Sequence, residues 1–289
     1  MDGLQAQVDP VRLVSHGQEA GPAPRARLSP RKRQRISRGV QYAVFAAVVV
    51  AVALAADWKA VVENFADLDV AKEAFPELIT IALKNTVIYT LSAYVVGFVL
   101  GLVVALMRLS SIAVYRGVAL AYIEVFRGLP ALVVFLIFGF GLPVAFPGMK
   151  FPFDQYGTVA VALGLVASAY MAETFRAGIQ AVPRGQMEAA RSLGMSHTRA
   201  MVSIIIPQAL RIVIPPLTNE LILLFKDSSL VFVLGVTSLT TELSKFGGDL
   251  ATEYADSTPL VLAGAAYLVI TLPLGYVVRR LEAKQQKAR

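Results

Sequence analysis

Four polar residues stand in segments that are otherwise apolar, and their side chains could bind a solute. They are Glu173, Asn219, Glu220 and Ser228. Polar and ionisable residues inside a membrane are costly and usually face protein or water, so they often mark a substrate path. A carboxylate can receive an ammonium group, and an amide can bond to either end of a zwitterion. Because leaving such groups unpaired in a low-dielectric passage is costly, we interpret these residues as candidates for lining a passage through the membrane.

The same residues also have structural interpretations. Glu173 lies three residues before Arg176, so the two side chains share a helix face and could form an intrahelical ion pair. Asn219 and Glu220 could instead hold a helix bundle together. Arg127, in a Phe-Arg-Gly-Leu-Pro turn, is expected to anchor its helix at the cytoplasmic membrane surface rather than to contact a solute. The sequence leaves the alternatives for Glu173, Asn219 and Glu220 open.

The polar loop 184–207 lies between two long apolar segments and carries the second group of candidates. Its candidate residues are Gly185, Glu188, Ala189, Ala190 and Gly194. Glu-Ala-Ala is followed by glycine at +6 and by Ile-x-Ile-Pro at +16 to +19, counted from the glutamate. Residues 186–193 are rich in helix formers, Gly194 can end that helix, and Ser196 can cap a second one. Pro207 then marks the start of the next crossing.

This spacing resembles the EAA loop of the permeases of ABC importers. In that family the loop forms a short cytoplasmic helix that docks into a groove of a separate ATPase subunit. The family prefers Leu before the proline, where this chain has Ile206, a change that keeps the apolar contact. Further stretches resemble the polar amino-acid branch of these permeases, which serves histidine, arginine, glutamine and glutamate. They are 84–86, 126–130, 169–179, 207–211, 215–220 and 226–230.

The resemblance covers residues 78–281 and implies an all-α integral membrane protein. The implied fold is the transmembrane domain of type I ABC importers, with a five-helix core and one extra N-terminal transmembrane helix. The implied function is a permease subunit that moves polar amino acids into the cytoplasm by alternating access. The implied partners are an ABC ATPase that uses ATP and Mg²⁺, the same or a similar permease chain, an extracytoplasmic solute-binding protein, membrane lipid and the amino acid. Glu188 and Gly194 are then expected to couple transport to ATP hydrolysis.

No catalytic set accompanies these groups. The sequence contains no Gly-x-x-x-x-Gly-Lys-Ser/Thr phosphate loop, so the chain itself is expected neither to hydrolyse ATP nor to bind a cofactor. It has no cysteine, and His16 and His197 lie far apart, so no metal site is expected. Two rival functions need other features. A secondary active transporter needs inverted repeats and embedded acids, and an intramembrane enzyme needs a catalytic set within its helices.

Membrane helices must position these residues. The chain has 289 residues, of which 56% are hydrophobic and 16% are charged, whereas soluble domains carry about 25% charged residues. Crossing a bilayer takes about 20 apolar residues. Six crossings are predicted, at about 39–56, 78–107, 114–141, 156–177, 208–226 and 258–279. The run 230–236 is too short to cross, so an interfacial or re-entrant piece is predicted there. The pair Pro215 and Pro216 indicates that the fifth helix is disturbed.

Charge and composition predict the orientation of the chain. Residues 1–38 are predicted to form a disordered, basic cytoplasmic tail. Residues 39–56 are predicted to form an anchor helix, although the small residues at the end of this segment also resemble a signal-peptide cleavage site. Residues 57–77 are acidic and are predicted to be extracytoplasmic. The count of Lys and Arg predicts that both termini, including a tail at 282–289, lie in the cytoplasm of a bacterial cell. It predicts the same for the 108–116 turn and for the 178–207 loop, which contains residues 184–207. The net charge of +7 is concentrated beside apolar segments, so topology explains it better than nucleic-acid binding.

Overall fold

The computed structural model describes residues 30–287, and this part of the chain consists of helices joined by loops and contains no strand. The α-helices are α1 (Pro30–Ala55), α2 (Trp58–Phe65), α3 (Leu68–Glu77), α4 (Lys84–Leu109), α5 (Ala113–Gly128), α6 (Ala131–Leu136), α7 (Leu142–Ala145), α8 (Gln155–Gln180), α9 (Arg184–Ser192), α10 (His197–Ala200), α11 (Ile206–Asp227), α12 (Leu243–Tyr254) and α13 (Thr258–Lys287). Short π-helical segments join α3 to α4, α6 to α7 and α10 to α11; they are Leu78–Leu83, Ile137–Gly141 and Met201–Ile205. The prediction of an all-α protein is confirmed.

Helix α1 belongs to a unit of its own, which ends at Asp57. It begins at Pro30, whose fixed φ and missing N–H suit the first position of a helix. Residues 30–38, predicted as part of a disordered tail, are therefore helical, whereas residues 1–29 lie outside the described part of the chain. The segment Ser37–Ala55 is apolar and long enough to cross a membrane, as predicted for the anchor helix.

The third predicted crossing, 114–141, is not one straight helix. α5 and the α6–α7 segment form a pair bent by 103°. Between them Leu129 is extended, with φ −89° and ψ 136°, because a residue that precedes proline is disfavoured in the helical region and Pro130 cannot donate a helical hydrogen bond. The described residues therefore hold five helical segments able to cross a membrane, or six if the bent pair counts as one.

The central contact of the second unit is the seam between α4 and α8, which glycines bring close together. A Cβ added at Gly101 would lie 2.9 Å from the carbonyl oxygen of Ser168, and one added at Gly97 would lie 3.0 Å from the Cβ of Ala167. Ser168 is fully buried and its hydroxyl lies 2.6 Å from that of Tyr122 on α5. Small residues thus allow α4 and α8 to approach closely.

Helix α11 stays continuous across Pro215 and Pro216, the residues predicted to disturb it. Proline at position 215 still removes the N–H that would bond to the carbonyl of Arg211, four residues earlier. The side-chain amide of Gln285 on α13 donates to that carbonyl instead. After α11 the chain tightens into a 3₁₀ helix, Ser228–Leu234, which includes most of the run predicted to be a short non-crossing piece.

A buried polar network ties the start of α12 to the membrane helices. Glu242 is fully buried and caps α12 by accepting hydrogen bonds of 2.7 Å from two backbone N–H groups, and the hydroxyl of Tyr267 donates to it at 2.9 Å. Burial raises the pKa of the Glu242 carboxyl, an effect that the N–H groups oppose. Asn85 on α4 donates to the carbonyl of Thr241 at 2.9 Å and accepts from the hydroxyl of Tyr156 at 2.7 Å. The polar Lys-Asn-Thr stretch of the sequence therefore fixes the segment that precedes α12.

Candidate functional site

A cavity of about 420 Å³ opens between the α5–α6 bend, α8 and α11. The bend contributes Arg127, Gly128, Leu129, Pro130 and Ala131, α8 contributes Leu163, Val166, Ala167 and Tyr170, and α11 contributes Glu220, Leu223, Leu224 and Asp227. This volume falls within the range of about 300–1,000 Å³ found for small-molecule sites, which combine apolar walls with a few polar groups. The cavity has that composition.

Three ionisable side chains line the cavity. Glu220 and Asp227 are seven residues apart, so α11 presents both on one face. Neither carboxylate forms an ion pair within 4.0 Å among residues 30–287. The guanidinium carbon of Arg127 lies 5.3 Å from the centre of the Tyr170 ring, inside the range of about 6 Å for a cation–π contact. One positive and two negative groups thus face the same small space.

Only one of the four predicted path residues lines this cavity, namely Glu220. Glu173 forms an ion pair of 2.6 Å with Arg176, the structural alternative that the sequence left open. Asn219 is exposed on α11 and is absent from the cavity wall. Ser228 is fully buried, and its hydroxyl donates to the carbonyl of Phe225 at 2.7 Å. The geometry therefore gives Glu173 and Ser228 partners within the chain and leaves Glu220 facing open space.

Sequence reasoning missed three residues of the cavity: Arg127, Tyr170 and Asp227. Arg127 was expected to anchor its helix at the membrane surface, but the bend at Pro130 brings its helix end to the cavity. The spacing of Asp227 from Glu220 was visible in the sequence and was a usable signal. Nothing in the sequence indicated that Tyr170 would lie beside Arg127, because the contact depends on how α5 packs against α8.

The loop after α8 folds into two short helices joined by a tight turn. The turn after α9 contains Gly194 at φ +81°, a left-handed conformation that favours glycine. The N–H of Gly194 donates to the carbonyl of Arg191 at 3.0 Å, and the N–H of Met195 donates to that of Ala190 at 3.1 Å. This pair of bonds is the Schellman arrangement. Ser196 then caps α10 by accepting from the N–H of Arg199 at 3.3 Å, so both predicted helix signals are confirmed.

One side of this loop packs on the helix bundle and the other is free. Ala190 is buried, and Val182, Ile205 and Ala209 form a small apolar cluster against which Met187 packs. Glu188 and Ala189 are exposed, and Leu193 is 84% exposed. A Cβ added at Gly185 or at Gly194 would meet no other heavy atom within 4 Å. α9 therefore packs on the bundle through Ala190, whereas Gly185, Glu188 and Ala189 lie on its exposed outer face.

Residues 97–287 match the family described as "Binding-protein-dependent transport system inner membrane component". The chain belongs to this family, whose members are the membrane subunits of ABC importers. The matched range includes the cavity and the loop with α9 and α10, and it leaves out α1.

Named relatives agree with this assignment. The chain is 38% identical over 204 residues to the probable glutamine ABC transporter permease protein GlnM of Bacillus subtilis, covering 71% of this chain and 91% of that protein. It is 35% identical over 208 residues to the arginine transport system permease protein ArtQ of the same organism, covering 72% and 90%.

Solved structures agree as well. The crystal structure of an amino acid ABC transporter with histidines matches with a TM-score of 0.65 at 38% identity, covering 75% of this chain and 98% of that one. A bacterial ABC transporter for the polysaccharide alginate shares only the fold, with a TM-score of 0.60 at 14% identity and coverage of 86% and 99%. The predicted fold of type I ABC importers is confirmed.

Proposed function

We propose that this chain is the permease subunit of an ABC importer that carries polar amino acids into a bacterial cytoplasm, and that the 420 Å³ cavity is part of the substrate path. The observation that carries the proposal is the placement of Arg127 opposite Glu220 and Asp227 in one small space. An amino acid has a carboxylate and an ammonium a few ångströms apart. A cavity with both signs of charge can bind both ends, and each pairing offsets the cost of removing the solute from water.

The roles of the three side chains follow from their chemistry. The guanidinium of Arg127 is planar and matches a carboxylate with two parallel hydrogen bonds. Its contact with Tyr170 orients it without neutralising its charge. Glu220 receives the ammonium group, as proposed from the sequence, and Asp227 offers a second carboxylate. With one cation against two anions the wall carries a net charge of −1 when all three are ionised, which favours amino acids with cationic side chains over acidic ones.

Transport then needs an energy source outside this chain. The exposed face of α9, with Gly185, Glu188 and Ala189, is proposed to dock in a groove of a separate ATPase subunit, which binds ATP and Mg²⁺. Because Ala190 anchors α9 to the bundle, movement of the ATPase would be transmitted to the helices that line the cavity. In this proposal the loop and both termini lie in the cytoplasm, and a solute-binding protein delivers the amino acid on the opposite side.

A second permease chain is proposed to cover α11. Asn219 and Lys226 lie seven residues apart on α11, and both are exposed although the helix is part of a membrane-spanning segment. A polar amide facing hydrocarbon would be costly. A partner permease, either the same chain or a similar one, would give Asn219 a polar environment at the edge of the path. Asn219 therefore stays a proposed path residue at the subunit interface, outside the cavity within one chain.

The two rival functions lose their support. A secondary transporter is disfavoured because the chain's named relatives are permease proteins of ABC transporters. An intramembrane enzyme is disfavoured because the chain belongs to a family of transport subunits.

Reconstitution tests the proposed function directly. The permease, its ATPase and its binding protein would be placed in liposomes, and uptake of labelled arginine, histidine, glutamine and glutamate would be measured with and without ATP. We expect ATP-dependent uptake that persists when ionophores collapse ion gradients, with arginine or histidine favoured over glutamate. Uptake that needs an ion gradient and no ATP would overturn the proposal in favour of a secondary transporter.

A further inference from the structure

A second charged cavity lies away from the proposed substrate path. It has a volume of about 460 Å³ and opens between α11 and α13. Its lining residues are Arg211, Ile214, Leu281, Lys284 and Gln285. α11 begins directly after the loop that carries α9 and α10, and Lys284 and Gln285 belong to the last turns of α13. Both walls therefore belong to the ends of membrane helices that meet the cytoplasmic surface in the proposed orientation.

A hydrogen bond between α11 and α13 holds the two walls of this cavity together. Because Pro215 has no N–H, the carbonyl of Arg211 lacks its helical donor. Gln285 supplies the missing hydrogen bond from α13 and joins the two helix ends. Leu281 lies one turn before Gln285 on the same face of α13, and Lys284 is the neighbour of Gln285. The hydrogen bond from the side chain of Gln285 to the backbone of Arg211 thus holds the two cations and the apolar wall together.

The two cations have no acidic partner here. Arg211 and Lys284 are exposed, and neither forms an ion pair within 4.0 Å in the described part of the chain. No carboxylate lines the cavity. Two like charges that face one space repel each other, and an anion between them relieves the repulsion. The ligand class that the cavity fits therefore carries a negative charge.

The rest of the wall indicates an amphipathic anion. Ile214 is 45% exposed, and Val277, one turn before Leu281 on α13, is 44% exposed. Apolar side chains thus continue along both helices from the cations towards the middle of the membrane. Basic cavities between membrane helices at the headgroup level bind anionic lipids, because the phosphate meets the cations while the acyl chains follow the apolar surface.

We propose that this cavity is a binding site for an anionic phospholipid. The headgroup phosphate lies between Arg211 and Lys284, and an acyl chain follows Ile214, Leu281 and Val277. This site is separate from the amino-acid path because its charge is positive throughout, whereas the cavity at Arg127 carries two carboxylates. A zwitterionic lipid lacks the net charge that the cations require, and free phosphate makes no use of the apolar wall.

Native mass spectrometry of the purified full-length chain in detergent tests the proposal. The probe is phosphatidylglycerol, compared with phosphatidylcholine that has the same acyl chains. The double variant Arg211→Gln/Lys284→Gln is expected to bind one phosphatidylglycerol molecule fewer at a given lipid concentration, with an apparent Kd at least tenfold higher for that molecule. A matched control, Lys59→Gln/Lys150→Gln, removes two cations outside the cavity and is expected to bind like the wild type.

A second variant separates lost charge from lost structure. Ile214→Trp keeps both cations and fills the apolar wall, and we expect it to lose the same lipid molecule. If the double variant aggregates, Ile214→Trp decides the outcome. Three results would overturn the proposal: retention of phosphatidylglycerol by both variants, equal binding of phosphatidylcholine by the wild type, or displacement of phosphatidylglycerol by millimolar inorganic phosphate. The last result would make the cavity a site for free anions. None of these readouts depends on transport.

Discussion

The guanidinium carbon of Arg127 lies 5.3 Å from the centre of the Tyr170 ring, at the edge of the cavity that also holds Glu220 and Asp227. The ring orients the guanidinium, and no carboxylate within the described chain forms an ion pair with it. A cation held in this way keeps its charge for a ligand. The relationship explains how one small cavity can present both signs of charge to a zwitterion.

Removing this cation should weaken transport of every amino acid that the importer accepts. We expect Arg127→Gln to raise the KM for uptake at least tenfold in the reconstituted complex, because the substrate carboxylate loses its partner. Tyr170→Leu should cost about 1 kcal/mol of substrate binding, roughly a fivefold effect, because the cation–π contact is lost. Tyr170→Phe keeps the ring and should behave like the wild type.

The control for these variants is Arg116→Gln, which removes a cation from a surface turn. Arg116 donates to the carbonyls of Ser110 and Ser111, outside the cavity. Uptake by Arg127→Gln with an unchanged KM for all substrates would show that Arg127 anchors its helix, as the sequence first indicated.

The two carboxylates should affect transport differently. Glu220→Gln is expected to reduce uptake of arginine and of glutamine, because it removes the proposed partner of the ammonium group that both share. Asp227→Asn is expected to reduce uptake of arginine more than that of glutamine, because it removes one negative charge from the wall. Uptake and competition of labelled amino acids in the reconstituted complex measure both effects, with Glu253→Gln, on the exposed part of α12, as the control. Unchanged uptake by Glu220→Gln, or an unchanged arginine-to-glutamine ratio in Asp227→Asn, would remove that carboxylate from the path.

The α4–α8 seam yields a prediction on stability. Gly101→Leu places a side chain where even a Cβ would lie 2.9 Å from a backbone carbonyl oxygen. Overpacking of this kind typically costs about 1–3 kcal/mol. We expect a lower melting temperature in detergent and less folded protein in the membrane. Gly117→Ala, at a position with no other heavy atom within 4 Å, should leave both unchanged. Equal melting temperatures for the two variants would contradict the close packing.

The sequence was sufficient for features that depend on local chemistry. Gly194 and Ser196 act as a helix stop and a helix cap because their roles depend on a few neighbouring residues. Features that depend on contacts between distant segments could not be predicted. The carbonyl of Arg211, freed by Pro215, accepts a hydrogen bond from Gln285, which lies in another helix.

The candidate site was only partly predictable for the same reason. Glu220 was identified because a carboxylate in an apolar run is unusual in any fold. Arg127 and Tyr170 come together only after α5 has packed on α8 and the chain has bent at Pro130. No spacing in the sequence encodes that contact, so a cation expected at the membrane surface lies at the cavity.

Cysteine labelling tests the orientation that the proposed function requires. The chain has no cysteine, so single cysteines can be introduced without background. Leu68 is 72% exposed and Thr198 is exposed, and unlike Asp67 and Ser196 neither caps a helix. In intact cells an impermeant maleimide should label Leu68→Cys strongly and leave Thr198→Cys unlabelled. The reverse pattern would place the loop with α9 outside the cell and end its role in coupling.

A bulky residue at Gly185 tests whether α9 contacts the ATPase, because it should block that contact without disturbing the fold of this chain. Gly185 is helical, and a Cβ there would meet no other heavy atom within 4 Å, so Gly185→Trp should fold and insert normally. We expect it to abolish copurification of the ATPase subunit. Gly248→Trp has equally open surroundings on α12 and should keep the ATPase. Gly194→Asn should also keep it, since asparagine tolerates the left-handed backbone there. Normal ATPase binding by Gly185→Trp would remove α9 from the interface.

The most direct measurement of the central claim, that α9 couples this permease to a separate ATPase, is a site-specific cross-link. Ala189 is exposed on the outer face of α9, and Ala189→Cys introduces the only thiol of the permease. A reagent with one thiol-reactive arm and one photoreactive arm, attached to this cysteine and illuminated in the active complex, should join it to the ATPase subunit and stop ATP-dependent uptake, while Leu68→Cys should form no such product. Full ATP-dependent uptake with no cross-link from Ala189→Cys would contradict the account.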